Sequence, residues 1–367
     1  MTQRKSLYIV TSSLPETAHH ILSEKLSLLF GNFEVVRVDP FDLRASQQFV
    51  EEHLGVLSMG GTLRNFLIDF TGGQPLYLNI LLRELVNLSI IHRQTEVFSP
   101  LLTQAIENTI FDQWGVLSRH FELTLDSMCG AKGNRVGASI LVAFANHKYQ
   151  IKELSKHLEI KQAQLTQRIN RLMENGILVK SGSYFYLKDK LFRYWLKYVF
   201  HPKLKTIDST SDRLRQEFNQ EVSQAIDYFK LNAEKDFSSR IVELLHCFDN
   251  DAFQINGRKY KLPTFQQIEP LKVDKDGMGH LDVIRANCSE GTWLIVFTQQ
   301  ALEESDVHVF LSQSEKMREK PLRHVIISLS DLEPNAKLKA LQERAWIWNE
   351  SEINTFLNFY DKPFIMP

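Results

Sequence analysis

The sequence predicts a multidomain protein that joins α/β segments to an all-helical stretch. Three observations carry this. The 367 residues are enough for two or three domains. Apolar periodicity runs strand–helix–strand near the start, helices alone through the middle, and alternating strands and helices over roughly the last 150 residues. Charge is also uneven. Ala131 to Lys205 holds fifteen Lys or Arg against four Asp or Glu, a net of +11, although the chain totals −1. Everything outside that window therefore sums to −12.

Composition narrows the class. An apolar fraction of 43% with 24% charged residues suits a folded globular chain and argues against a disordered one. No apolar run is long enough to span a membrane, and no secretory h-region follows Met1, so a cytoplasmic protein is expected. Cys129, Cys247 and Cys288 lie far apart and make neither a metal-ligand spacing nor a disulfide framework. They read as small buried hydrophobes in a reducing compartment. His19, His20 and His147 have no acid partner at metal-binding spacing, so surface or capping roles are expected.

From the start, Ser6 to Val10 reads as a compact apolar strand followed by Thr11, Ser12 and Ser13. A helical pattern covers 16–30, and Phe33 to Val38 reads as a second strand. Strand–helix–strand is part of a parallel sheet that two strands cannot close. Helices follow at 45–54, 62–71, 76–88 and 101–125. Within Thr71-Gly72-Gly73-Gln74-Pro75, Gly73 suits a helix end and Pro75 the first turn of the next helix. That local role accounts for the motif without any ligand.

The basic window reads as an apolar helix (140–146), a helix–turn–helix (151–158 and 162–175) and a hairpin (177–180 and 184–187) around Ser181-Gly182-Ser183. Leu165, Ile169 and Leu172 share one helical face, Gln164, Gln167, Arg168 and Arg171 the other, and Gly176 stops the helix. This order resembles a winged helix-turn-helix. A basic module in an acidic chain is an electrostatic footprint for phosphate backbone. The expected DNA contacts are Lys161, Gln162, Gln164, Thr166, Gln167, Arg168 and Arg171, with Lys180 and Tyr184 on the wing. A protein-binding or spacer module with a solvated lysine face gives the same pattern.

Phe192, Tyr194, Trp195, Tyr198 and Phe200 make an aromatic helix over 190–200. With Arg193 and Lys197 it could stack single strands, but aromatics at helical spacing favour a buried packing helix. Residues 205–212 read as a polar linker. Beyond it the pattern gives a helix (236–248), short strands (253–255 and 258–262), a hairpin pair (280–285 and 292–297), a helix (307–316), a strand (324–328), a helix (335–344), a strand (345–348) and a closing helix (352–359).

A strand ending in Thr11-Ser12-Ser13, the stretch Val35 to Phe41, a helical lid carrying Gly73 and Pro75, and a winged helix come in a fixed order. So does Leu187 to Trp195, where Asp189 precedes a Phe/Trp-rich helix. Over residues 5–200 this resembles the C-terminal part of the prokaryotic STAND-type AAA ATPases, the archaeal-type group. The resemblance implies a remnant of the P-loop ATPase α/β core at 1–43, a helical lid at 44–130, a winged helix and following helix at 131–204, and nucleotide contacts at Thr11, Gly73 and Pro75. Residues 205–367 resemble a restriction-endonuclease-like domain of the PD-(D/E)XK superfamily. In that family an Asp on one strand and a Glu-x-Lys on the next hold Mg²⁺ beside the scissile phosphate. Asp282 matches the first acid and Glu243 loosely matches a helix acid, while Phe297-Thr298-Gln299 stands where the second acid and lysine belong.

The departures set the expected function. No Gly-x-x-x-x-Gly-Lys-Ser/Thr occurs, Gly130 to Gly133 is too short for one, and no strand ending in paired acids precedes Ser6. One carboxylate does not make a magnesium site, so Asp282 and Glu243 are expected to be vestigial and the catalytic set empty. The expected protein is a non-catalytic DNA-binding, possibly regulatory, derivative of such an ATPase, with no resident cofactor or metal. ATP and Mg²⁺ enter only under the alternative that a longer reading frame or a P-loop-containing partner chain supplies the front half. A protein-interaction adaptor is the third reading.

Overall fold

The computed structural model describes residues 9–12, 18, 21–25, 34, 36, 38–129, 135–146, 150–181, 184–205, 211–255, 258–274, 280–313 and 320–366. Much of the expected opening strand–helix–strand lies outside these residues, as do His19, His20, Gly130 to Gly133, His147 and the hairpin turn at 182–183. Ile9, Val10, Val36 and Val38 are described. All four are exposed and none belongs to a strand, so no sheet is seen at the described positions of that opening segment. The chain divides into two compact units: residues 1–60 with 70–223, and residues 61–69 with 224–367.

The first described helix, α1 (Leu43–Leu54), starts where the Asp42 carboxylate accepts from Ala45 N at 2.7 Å. After β1 (Ser58–Met59) comes α2 (Gly61–Thr71). Gly72 and Gly73 both take positive φ, and Pro75 opens α3 (Pro75–His92) at its first turn, as the motif predicts. Space also demands glycine at 73. A Cβ there would meet Phe41 O at 2.4 Å, while Phe41 N donates to Gly73 O at 3.0 Å. Two backbone segments cross at that point.

In the first unit α3 is the core helix, burying Tyr77, Leu78, Leu81, Leu82, Leu85 and Leu88. The short β2 (Glu96–Val97) pairs with β1 in parallel. The single helix expected over 101–125 is two. The first is α4 (Ser99–Ile106), with a π-turn at Glu107–Phe111, and the second is α5 (Val116–Cys129). Asp112 and Gly115 break it. Asp112 Oδ1 accepts from Trp114 N at 2.9 Å, and a Cβ at 115 would meet Thr109 O at 2.4 Å.

Next come α6 (Arg135–Asn146), α7 (Ile151–Leu158), α8 (Gln162–Glu174) and an antiparallel hairpin of β3 (Leu178–Ser181) with β4 (Tyr184–Leu187). The aromatic helix is α9 (Lys190–Trp195), continued by a π-turn to Phe200 and by α10 (His201–Lys205). It is a packing helix, since Phe192 and Trp195 are 2% and 1% exposed. Their rings meet Phe121 of α5 at 5.5 and 5.8 Å.

The long helix α11 (Ser211–Ala233) then runs through a stretch with no sequence assignment beyond 212. The linker expected to reach Asp212 gives way to helix at Ser211, and 206–210 lie outside the described residues.

The second unit follows with α12 (Phe237–His246) and a hairpin of β5 (Asp251–Ile255) and β6 (Arg258–Leu262). Its main sheet contains β7 (Phe265–Asp274), β8 (His280–Cys288), β9 (Gly291–Thr298), β10 (Arg323–Ser328) and β11 (Trp346–Trp348) in the order β11-β10-β9-β8-β7. The β7, β8 and β9 strands are antiparallel, whereas β9, β10 and β11 are parallel. Crossover helices α13 (Glu304–Ser312) and α14 (Pro334–Gln342) join the parallel strands, and α15 (Glu350–Phe359) follows.

Trp293 to Phe297 of β9 are all buried, so that strand reads as an unbroken apolar run rather than an alternating one. Val296 and Ile326 pack with Val307, Phe310, Ala336 and Ala340. The described residues are thus mixed α/β plus α: mostly helical, with one five-stranded mixed sheet and several two-stranded ones.

Candidate nucleic-acid interface

The basic module is assembled locally. Gln150 and Glu153 form a capping box at the start of α7, with Gln150 N donating to Glu153 Oε2 at 3.1 Å. Glu159 ends that helix in the left-handed region at φ 56. Ser155 Oγ donates to Ile160 O at 2.7 Å, and Ile160 N donates back to Ser155 O at 3.1 Å. This closes the three-residue turn (159–161) between α7 and α8.

Leu165, Ile169 and Leu172 bury one stripe of α8, which packs on β3, while α6 packs on β4. Beyond the hairpin, Asp189 caps α9 by accepting from Phe192 N at 2.8 Å. Its other oxygen accepts from Tyr77 Oη of α3 at 2.5 Å. The hairpin's exit is therefore fixed to the core helix.

The expected contacts fall as follows. Lys161, Gln162, Gln164, Gln167 and Arg171 are exposed, and Thr166 and Arg168 are half-buried beside the packed stripe. Thr166 Oγ1 donates to Gln162 O at 2.8 Å, leaving its oxygen free to accept only. Spacing of three and four residues puts Gln164, Gln167 and Arg171 on one exposed face of α8.

The hairpin register separates the two wing residues. Lys180 lies opposite Phe185, and Tyr184 lies opposite Ser181. Side chains alternate across a strand pair, so Lys180 shares the face of Leu178 and Leu187 while Tyr184 projects from the other. Lys180 keeps its ammonium exposed, 5.6 Å from the Phe185 ring.

Four further residues join these. Asn170 is exposed on α8, one turn from Gln167, and Lys152, Lys156 and Lys188 are exposed on α7 and after β4. The charge count included those lysines, but only helix geometry shows which face they occupy. None of the ion pairs found among the described residues involves Lys152, Lys156, Lys161, Arg168, Arg171 or Lys188. Among the described residues no ion pair neutralises their charge. Tyr186 titrates above the ordinary phenol range because burial disfavours its anion, with nearby Arg193 opposing.

The remaining candidates lie outside this module. Thr11 is exposed and outside any regular element. Gly73 makes the backbone crossing with Phe41, and Pro75 opens α3. Asp282 is exposed on β8 directly across from Lys272 of β7. Glu243 accepts from Lys235 Nζ at 2.6 Å. Phe297, which stands where a second acid would be needed, is 5% exposed and meets the Phe237 ring edge-on at 5.8 Å. Among the described residues no group of three or more His, Cys, Asp or Glu side chains could hold a metal ion. No described helix is long and apolar enough to cross a membrane.

No family model and no curated protein matches the chain. Among solved structures, a Thermotoga maritima RuvB mutant aligns at 11% identity and TM-score 0.27, covering 47% of this chain and 55% of that one. Protein VC1899 from Vibrio cholerae aligns at 12% identity and TM-score 0.19, covering 64% and 55% respectively. Overlaps of that size fix neither a fold family nor a function.

Proposed function

We propose that this chain is a non-catalytic, regulatory DNA-binding protein that engages duplex DNA through the module from α6 to β4. On this reading the module is a winged helix-turn-helix. The first unit derives from a STAND-type ATPase that lacks its phosphate cradle, and the second from a restriction-endonuclease-like domain without its metal site.

The observation that carries the reading is the segregation of charge. A net of +11 is gathered in 131–205 while the rest sums to −12. The described lysines and arginines of α7 and α8 are largely exposed and unneutralised. Such a surface releases counterions when it meets a phosphate backbone. The polar face of α8 has the amide and guanidinium groups that pair with base edges.

Fluorescence anisotropy with a labelled duplex tests this. Binding is expected to fall by roughly a thousand-fold or more between about 50 and 200 mM salt if six or more phosphates are contacted. No binding at the lower salt sinks the proposal. The charge reversals Lys156→Glu and Lys161→Glu should each weaken all duplexes alike and reduce the salt slope by about one.

A further inference from the structure

The segment after α15 is held in an unusual way. The chain leaves the helix through Tyr360, Asp361 and Lys362. Asp361 takes a left-handed φ of 55, its N–H donates to Asn358 O at 3.3 Å, and Lys362 N donates to Leu357 O at 2.8 Å. This is the reversal that usually employs glycine.

Pro363, Phe364 and Ile365 then lie in a slot of the second unit. Each is gripped by its main chain. Arg240 of α12 is 6% exposed and donates Nη2 to Pro363 O at 2.5 Å while Nη1 donates to Asn232 O at 3.1 Å. Asp69 is 5% exposed and accepts from Phe364 N at 3.1 Å. Asn354 of α15 accepts from Ile365 N at 3.0 Å and donates to Ile365 O at 3.4 Å. Pro363 and Ile365 are themselves buried, Ile365 to 5%.

A segment that merely plugged a gap would need only its side chains. Here two buried charged groups and an amide read three consecutive backbone units, as a peptide receptor does. The joint feeding this receptor is three residues long, and its Asp361 holds a left-handed φ that glycine adopts more freely than aspartate.

We propose that residues 363–365 are an exchangeable arm, and that the slot takes the same segment of a second copy of this chain, giving a reciprocal dimer. The occupant follows from the contacts. Every bond to Arg240, Asp69 and Asn354 is kept in such a dimer. The joint at 360–362 changes, with Asp361 leaving the left-handed region and Lys362 giving up its bonds to Leu357 O and Tyr228 Oη. A short strained joint is what favours exchange of an identical element between copies.

The test is the oligomeric state of the full chain by light scattering across a concentration series. Asp361→Val disfavours the left-handed joint and should populate the dimer, whereas Asp361→Gly relieves it and should favour the monomer. The two dimerisation constants should differ by about ten-fold per joint, hence roughly a hundred-fold for the pair. Adding Ile365→Asp to Asp361→Val should abolish the dimer, because the arm can no longer be buried. A folded Asp361→Val protein that stays monomeric overturns the proposal, as does a dimer that survives Ile365→Asp. Should Asp361→Val not fold, the milder Asp361→Ala is read by the same criteria.

Discussion

Tyr77 and Asp189, 112 positions apart, are joined by a 2.5 Å hydrogen bond from the phenol to the carboxylate. Tyr77 sits in the first turn of α3 and is 7% exposed, and Asp189 follows the hairpin and caps α9. A buried carboxylate is tolerated only when its oxygens are bonded, and here Tyr77 satisfies one while the Phe192 amide satisfies the other. Tyr77→Phe removes the donor and leaves the carboxylate half-satisfied. It should cost about 1–3 kcal/mol in denaturant unfolding. Duplex affinity should be unchanged, because neither residue faces the exposed side of α8.

The same pair makes a pH signature. Burial holds the Asp189 carboxyl above its ordinary range, opposed by hydrogen bonds from Phe192, Tyr77 and Leu191 and by His120. Between the ordinary and the raised value the folded state binds a proton that the unfolded state has released. The stability contributed by Asp189 is therefore full below the ordinary carboxylate range and declines as pH rises through the raised value. Unfolding free energies of the native chain and Asp189→Asn, compared across pH, should show the native chain losing ground as pH rises through that window. A difference that is flat with pH would refute this account of Asp189.

Gly72 and Gly73 both take positive φ, but only Gly73 is crowded. Gly72→Ala should cost only the left-handed penalty, about 1 kcal/mol. At 73 a methyl group meets the Phe41 carbonyl, so Gly73→Ala should cost roughly 2–4 kcal/mol. Thermal unfolding of the two variants separates a packing requirement at 73 from one shared by both glycines.

These sites show where sequence reading succeeds and where it stops. The three helices and hairpin of the basic module were legible because each signal is local: period-3.6 apolar stripes, a glycine at 176, and alternating residues flanking a glycine-containing turn. The β7 strand was not legible. Its Gln266, Gln267, Glu269 and Pro270 look like loop, and it exists because it is an edge strand beside β8, where a proline without an N–H is tolerated.

The break in 101–125 is not legible in the sequence, because Asp112 and Gly115 act through a local cap and a close approach, not through periodicity. Helical spacing alone puts the candidates Gln164, Gln167 and Arg171 on one face of α8. The lysines of α7 are not legible as candidates, because a charge count has no direction until the helices are oriented.

Glu159 holds a left-handed φ of 56 in the turn between α7 and α8. Glycine adopts this conformation without steric cost, although it adds entropy to the unfolded chain. Glu159→Gly should therefore leave stability unchanged or raise it by up to about 1 kcal/mol. It also removes an exposed negative charge next to Lys161. If the module binds DNA as proposed, duplex affinity should rise, most at low salt. A drop in stability would mean that the Glu159 side chain has a packing role.

The hairpin offers a sharper geometric test. Lys180 and Tyr184 leave the strand pair on opposite faces, because Lys180 is in register with Phe185 and Tyr184 with Ser181. A duplex lying against one face of a two-stranded hairpin meets one of these side chains and not the other. Lys180→Ala and Tyr184→Ala should therefore be unequal. If the exposed end of the hairpin at Lys180, beyond the buried Leu178, Phe185 and Leu187, meets the phosphates, Lys180→Ala weakens binding and lowers the salt slope by about one, and Tyr184→Ala leaves both unchanged. If the other face is used, the Tyr184 change weakens binding with little effect on the slope, because a neutral phenol releases no counterion. Equal losses from the two substitutions would contradict a hairpin that docks on one face.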